Sequence, residues 1–223
     1  TLLSYLLSGI IDDYTGNIIS TYKNREIGYI FQRPEEAFIF ETVKEELAFG
    51  IRKYNYRVDE IDKRMEEALK MVGLPKFYLD RNPFTLSSGE KEALALATIL
   101  ILNPKVIIID DPSISLDNYR CDHLIKLLKK LCNRYKKTII IFSSNTQFLV
   151  RVTDNYVLLK NGKIVLSGNR RNLSDNIGKF KNANVCIPRI TEFISNANKK
   201  YNANLEYTFD IKELMKDIYR NVK

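Results

Sequence analysis

The sequence predicts an α/β fold in which helices cover a central, mostly parallel sheet, and three observations carry that expectation. Short, nearly unbroken apolar and β-branched runs at residues 27–31, 106–109 and 138–142 have the composition of strands buried on both faces. Between them lie segments whose apolar residues recur at helical spacing, so the two kinds of element alternate along the chain. Finally, residues 156–160 and 163–167 flank Asn161-Gly162, which predicts an antiparallel hairpin because Asn-Gly accepts the positive φ angles of a type I′ turn.

The helices can be justified in order. Val58, Ile61, Met65, Leu69 and Val72 form one stripe, Asp59 and Glu60 suit the positive end of the helix dipole, and Gly73 suits the stop. A helix-compatible run follows Leu86-Ser87-Ser88-Gly89-Glu90 as far as Leu102. Residues 119–135 place Leu124, Leu127, Leu128 and Leu131 on one face, with Lys126, Lys129, Lys130 and Arg134 largely off it as a solvated face. After Gly168 the composition turns to Asn, Arg, Lys and Ser, so residues 169–184 read as a surface connection. Helical stretches around 190–198 and 211–222 then form a small C-terminal appendage.

With 223 residues, 45% hydrophobic and 28% charged, the chain is one large globular domain or a domain plus an appendage; fibrous, collagenous and disordered classes are excluded. Thirty-five Lys and Arg against 27 Asp and Glu leave +8, which permits nucleic acid, an anionic membrane surface or anionic small molecules as partners without choosing among them. The longest apolar stretch, 93–109, is interrupted by Asn103, Pro104 and Lys105, so no membrane-spanning helix is expected. Cys121, Cys132 and Cys186 are too few for a disulfide framework and lack metal-ligand spacing, which points to buried thiols in a reducing, cytoplasmic compartment.

Two segments carry chemistry. Small residues opening a helix at Ser87-Ser88-Gly89 leave backbone N–H groups facing outward, where a phosphate is favoured; alone, the same pentapeptide fits an ordinary Ser-capped helix equally well. The run Val106-Ile107-Ile108-Ile109-Asp110-Asp111-Pro112 ends a buried strand in two carboxylates, where strands of open α/β sheets meet ligands. Such a pair suits Mg²⁺ and the orientation of a water, although an acidic helix-capping pair is the plainer alternative.

Together these segments resemble the ATP-binding-cassette ATPases. Leu86 to Glu90 resembles that family's signature loop, usually Leu-Ser-Gly-Gly-Gln; Val106 to Asp110 resembles its Walker B strand; Ser115-Leu116-Asp117 resembles its D-loop; and Ile27 to Gln32 resembles the strand into the Q-loop. The resemblance implies an α/β P-loop NTPase-like domain over residues 1–168, with a helical signature subdomain over about 51–102, and a linker and helical extension over 169–223. It implies ATP and Mg²⁺ as cofactors, with Asp110 and Gln32 on the metal and Ser87, Ser88, Gly89, Glu90 and Asp117 on nucleotide. Asp111 and Gln32 would act on the attacking water.

Residues 32–36 and 40–50 narrow the resemblance to the A-component ATPases of energy-coupling-factor transporters, which drive vitamin and metal-ion uptake, and Ile187-Pro188-Arg189 onward is similar to their C-terminal extension. That implies a second ATPase subunit and a transmembrane T component met near Gln32, Glu35 and Glu36, at the cytoplasmic face of the membrane. Glu35 and Glu36 would pair bidentately with Arg of that component, though they also read as a solvated acidic turn. No duplicated cassette or RNA-recognition motif is present, and no nucleic-acid partner is expected.

The sequence departs from the family in four places. The P-loop pattern Gly-x-x-x-x-Gly-Lys-[Ser/Thr] does not occur; the chain begins at Thr1, and Thr1-Leu2-Leu3 resembles the helix that follows such a loop, so the sequence is expected to start one motif late. Asp111 stands where the family has Glu, and Ser144 stands at the switch-histidine position. In the signature loop, Ser88 and Glu90 replace Gly and Gln. The expectation is a weak or inactive site of this chain's own beside a signature loop that serves a partner, in an asymmetric heterodimer. A catalytically silent scaffold or regulatory subunit is the competing reading, and a soluble ATP-binding-cassette protein acting on nucleic acid, for which +8 is the main attraction, ranks last.

Overall fold

The structure, a computed structural model, describes residues 1–52, 58–112 and 117–221. Ser115 and Leu116, two of the three D-loop positions, lie outside the described residues. By contacts the chain divides into two units, Thr1–Ser143 and Ser144–Lys223.

The first unit is built on a three-stranded parallel sheet in the order β1 (Ile27–Ile30), β2 (Val106–Asp110), β3 (Thr138–Phe142). The register pairs Ile30 with Ile109 and Asp110 with Phe142, so the carboxyl ends of all three strands share one edge. β2 is buried at every position, as its unbroken apolar run predicts. β1 alternates between buried and half-buried positions and β3 is only partly buried, in contrast to the expectation of burial on both faces. Both flank β2 in the ladder, and among the described residues the central strand alone has a neighbour on each side.

Helices α1 (Leu2–Ser8), α2 (Val43–Arg52), α3 (Val58–Val72), α4 (Ser88–Leu100) and α5 (Asn118–Asn133) complete this unit. The stripe of α3 is buried at Met65, Leu69 and Val72, and Gly73 takes the left-handed conformation (φ 81°) that lets Leu74 N–H close the helix on the Leu69 carbonyl. α2 was not anticipated, although Val43, Leu47, Ala48 and Ile51 stand at helical spacing and are all buried. Thr42 and Glu45 exchange side-chain and backbone hydrogen bonds at its start. α4 lies against β1 at Gly28, where an added Cβ would come within 2.2 Å of Ile99 Cγ2.

In the second unit, α6 (Thr146–Val152) leads to the predicted hairpin of β4 (Asn155–Lys160) and β5 (Lys163–Asn169), with Asn161 and Gly162 at φ 50° and 73°. The segment expected as a bare surface connection instead contains two short 3₁₀ turns and α7 (Ile177–Asn182), and it contributes Leu173 and Phe180 to a core with Val150, Leu158 and Ile187. Its polar composition hid these two anchors. α8 (Arg189–Tyr201) and α9 (Ile211–Asn221) follow and share a second small core of Ile194, Leu205 and Leu214.

Gly28→Ala tests the packing of α4 on the sheet. The β-branched Ile99 has little freedom to move aside, so the substitution is expected to lower stability by about 1–3 kcal/mol in urea denaturation. An unchanged midpoint would mean that α4 does not sit on β1 at this point.

Candidate functional site

The buried ladder delivers Asp110 and Asp111 to the carboxyl edge of the sheet. Asp110 is 4% exposed; its Oδ2 accepts a long hydrogen bond of 3.4 Å from the Tyr29 hydroxyl, which also meets Ser4 Oγ at 2.9 Å. Burial pushes the Tyr29 phenol up to about 12, so it stays a neutral donor. The backbone nitrogen of Thr1 lies 3.8 Å from Asp110 Oδ1, which brings the start of α1 to the same edge. The Asp110 carboxylate therefore keeps acceptor capacity for a hard cation. Among the described residues no three His, Cys, Asp or Glu side chains converge.

Asp111 differs in its environment. Its backbone is left-handed (φ 46°), a conformation that the short Asp side chain tolerates better than most, and its N–H donates to the Phe142 carbonyl at 2.7 Å. The Ser143 hydroxyl donates to Asp111 Oδ1 at 2.6 Å. One oxygen of this carboxylate thus carries a hydrogen bond from the chain itself. Gln32 is exposed two residues beyond β1, and Glu35 and Glu36 are exposed on the 3₁₀ turn Pro34–Ala37, where Glu36 stands 3.9 Å from Arg33. Ser144 is exposed at the start of the second unit.

A second cluster forms at the start of α4. Ser87 is its N-cap, and Glu90 reaches back so that Oε2 accepts from both Ser87 N–H and Ser87 Oγ at 2.8 Å, while Oε1 accepts from the Tyr78 hydroxyl at 2.8 Å. These donors, the Ser87 backbone first, hold the Glu90 carboxyl below its ordinary range. Arg120, in the first turn of α5, donates from Nη1 to Ser87 Oγ at 3.1 Å. Its guanidinium lies so close over Gly89 that a Cβ there would meet Nη1 at 2.1 Å and Cδ at 2.5 Å. A Cβ there would have to displace the Arg120 side chain. Asp117 caps α5 by accepting from Arg120 N–H at 2.8 Å, and its other oxygen lies 3.7 Å from Arg120 Nε.

Of the residues singled out in the sequence, the structure brings Ser87, Gly89, Glu90 and Asp117 together through Arg120, and it places Asp110 and Asp111 together at the sheet edge. Arg120, Tyr78, Tyr29 and Ser143 were missed. Arg120 meets Ser87 across a separation of 33 residues, and Tyr78 meets Glu90 across 12, so no local pattern announces either. Ser143 adjoins the switch position, yet only the fold shows it turned to Asp111.

A parallel sheet with acidic residues at its carboxyl edge and a small-residue loop opening a helix defines a nucleotide-binding α/β protein. The family model described as ABC transporter matches residues 1–114, and the chain belongs to that family. It is 33% identical over 199 residues to the energy-coupling factor transporter ATP-binding protein EcfA of Methanocaldococcus jannaschii, covering 89% of this chain and 71% of the relative. It is 29% identical to EcfA2 of Clostridium perfringens, covering 96% and 81%. The solved structure of CbiO1 from Clostridium perfringens, described as part of the ABC transporter complex cbiONQ, aligns with a TM-score of 0.71 at 29% identity over 86% of this chain and 81% of that one. The chain is an ABC-type ATPase of the energy-coupling-factor kind, whose ATP hydrolysis is coupled to transport within a complex. No helix among the described residues is long and apolar enough to cross a membrane.

Glu90→Gln tests the first turn of α4. A carboxyl held below its ordinary range stabilises the fold at neutral pH and loses that contribution as acid protonates it. The variant is therefore expected to be about 1–2 kcal/mol less stable at pH 7, with the gap closing as pH falls below about 4.5. Urea denaturation across that range checks it; a gap that persists in strong acid would contradict the assignment.

Proposed function

We propose that this chain energises an energy-coupling-factor importer of a vitamin or metal ion as the degenerate member of an ATPase heterodimer. Its signature loop, Ser87, Ser88, Gly89 and Glu90, completes the ATP site of a partner that carries the usual catalytic Glu. The chain's own catalytic position is weak, with Asp111 in place of Glu, and its switch position carries Ser144 in place of His. The observation that carries this reading is Asp111: one methylene shorter than Glu, set on a left-handed backbone, and with Oδ1 held by the Ser143 hydroxyl at 2.6 Å. The missing methylene shortens its reach toward a water, and a misplacement of about 1 Å can cost about 10²-fold where in-line geometry matters. Ser144 has no group able to span what an imidazole covers.

The dimeric arrangement is supported by likeness to a solved structure described as dimeric MJ0796, a bacterial ABC transporter cassette, which aligns at 28% identity with a TM-score of 0.60 over 66% of this chain. Asp110 and Gln32 would hold Mg²⁺, which when bound neutralises charge on the transferred phosphoryl group. Asp117 fixes the start of α5 and, through it, the Arg120 guanidinium over the loop. The exposed Gln32, Glu35 and Glu36 form the face offered to a T component, with the carboxylates suited to guanidinium. The ATPase domain is taken as residues 1–168 with its helical subdomain at about 51–102, and 169–223 as the extension. The work is done at the cytoplasmic face of the membrane, and +8 suits a surface that meets phosphates and anionic lipid.

A catalytically silent scaffold is the second reading, favoured by the same Asp111 and Ser144, and one experiment separates the two. In the assembled complex, changing the partner's catalytic Glu to Gln is expected to cut ATP turnover by about 10²-fold or more, whereas Asp111→Asn in this chain leaves it within about twofold. Gly89→Ala, whose Cβ displaces the Arg120 side chain from over the loop, should reduce turnover. Turnover that survives the partner substitution would overturn the asymmetric assignment, and turnover indifferent to Gly89→Ala would favour the scaffold.

A further inference from the structure

The Ser87 hydroxyl has one proton, and that proton is turned inward. Ser87 Oγ donates to Glu90 Oε2 at 2.8 Å, because an ionised carboxylate can only accept, and Ser87 Oγ in turn accepts from Arg120 Nη1 at 3.1 Å. It therefore has no hydrogen left for a ligand that approaches the loop from solvent. Glu90 also leaves a negative charge beside the loop, at a position where the family carries neutral Gln, and that charge opposes the approach of a phosphate.

Arg120 supplies what the loop lacks. A guanidinium carries five N–H donors; here Nη1 reaches Ser87, and the side chain is 38% exposed. Asp117 Oδ2 stands 3.7 Å from Nε, an ion pair longer than a hydrogen bond. Gly89 is buried beneath this group: the atoms nearest an added Cβ are Nη1, Cδ and Cζ of Arg120, at 2.1, 2.5 and 2.9 Å. An anion that approaches Gly89 from that side meets the guanidinium first. Planar guanidinium donors match phosphate oxygens in pairs, and the positive charge offsets the Glu90 carboxylate.

We propose that Arg120, and not the Ser87 hydroxyl, is the side chain through which this loop binds the terminal phosphate of the ATP held by the partner. The role rests on the proposed function, in which the loop faces that nucleotide, and goes beyond it by naming the donor. Ser87 and Asp117 are then positioning residues that aim the guanidinium, one from the loop and one from the start of α5.

The test uses the assembled complex, with hydrolysis stopped by changing the partner's catalytic Glu to Gln. Labelling of residues 87–90 by an ATP analogue that carries a photoreactive group on its terminal phosphate is competed with ATP or with ADP, so that both affinities are read at this loop. ADP lacks the phosphate in question. Arg120→Ala is expected to weaken ATP by about tenfold or more and ADP by less than about twofold. Arg120→Gln, which keeps a donor for Ser87 without the charge, should behave like Arg120→Ala, whereas Arg120→Lys, which keeps the charge, should recover part of the ATP preference. A merely structural role gives the opposite order. ATP and ADP weakened alike, recovery by Gln but not by Lys, or ATP bound more tightly once the guanidinium is removed would each overturn the proposal. If residues 87–90 of the complex with Arg120 intact are not labelled at all, the proposed function falls and this role with it; labelling whose ATP preference ignores Arg120 overturns this role alone.

Discussion

The constraint on which the catalytic unit depends is the burial of β2. A strand of Val106, Ile107, Ile108 and Ile109, closed on both edges by β1 and β3 and buried at every residue, has one register available to it. That register fixes where Asp110 and Asp111 emerge. The apolar run would be stable without them, but an acidic pair at its end is held to the sheet edge by every residue that precedes it. The two carboxylates then diverge through their neighbours. Among the described residues, Asp110 meets the long Tyr29 hydroxyl contact and the distant Thr1 nitrogen, whereas Asp111 is tied by Ser143. Similar chemistry thus yields two carboxylates with different hydrogen-bond partners.

The signature loop is governed by a different device, a clasp instead of a ladder. Glu90 gathers three donors from Ser87 and Tyr78, and Arg120 closes over Gly89 from the next helix. Asp117 sets that closure, because its cap holds the backbone turn from which the Arg120 side chain leaves. The D-loop position and the signature loop are therefore linked within one chain. In the proposed heterodimer this linkage lets the D-loop of one subunit influence the loop that the same subunit presents to its partner's ATP.

Much of this was legible in the sequence, for physical reasons. Unbroken β-branched runs, the Val58 to Val72 stripe and Asn161-Gly162 are local signals, and the strands, α3 and the hairpin follow them. The ordered motifs identified the family for a similar reason, since each is a short stretch whose spacing is set by one strand or one turn. Contacts between distant segments were not legible. Arg120 over Gly89 and the Tyr78 bond to Glu90 arise only when helices pack, and a polar stretch concealed Leu173 and Phe180. The Glu92 carboxylate, whose oxygens are buried without a hydrogen-bond partner among the described residues, belongs to the same class: its neighbour Glu90 in the same helical turn is fully partnered, and nothing in Glu90-Lys91-Glu92 distinguishes them.

The central claim is that the two ATP sites of the assembled pair are unequal and that this chain serves catalysis chiefly through its loop. Trapping the complex with ATP, Mg²⁺ and vanadate and counting the ADP retained per heterodimer tests it most directly. Close to one trapped ADP, crosslinked to the partner's P-loop and to the Ser87 loop of this chain, is the predicted result. Two trapped ADP per heterodimer, or one held at the site containing Asp111, would contradict it.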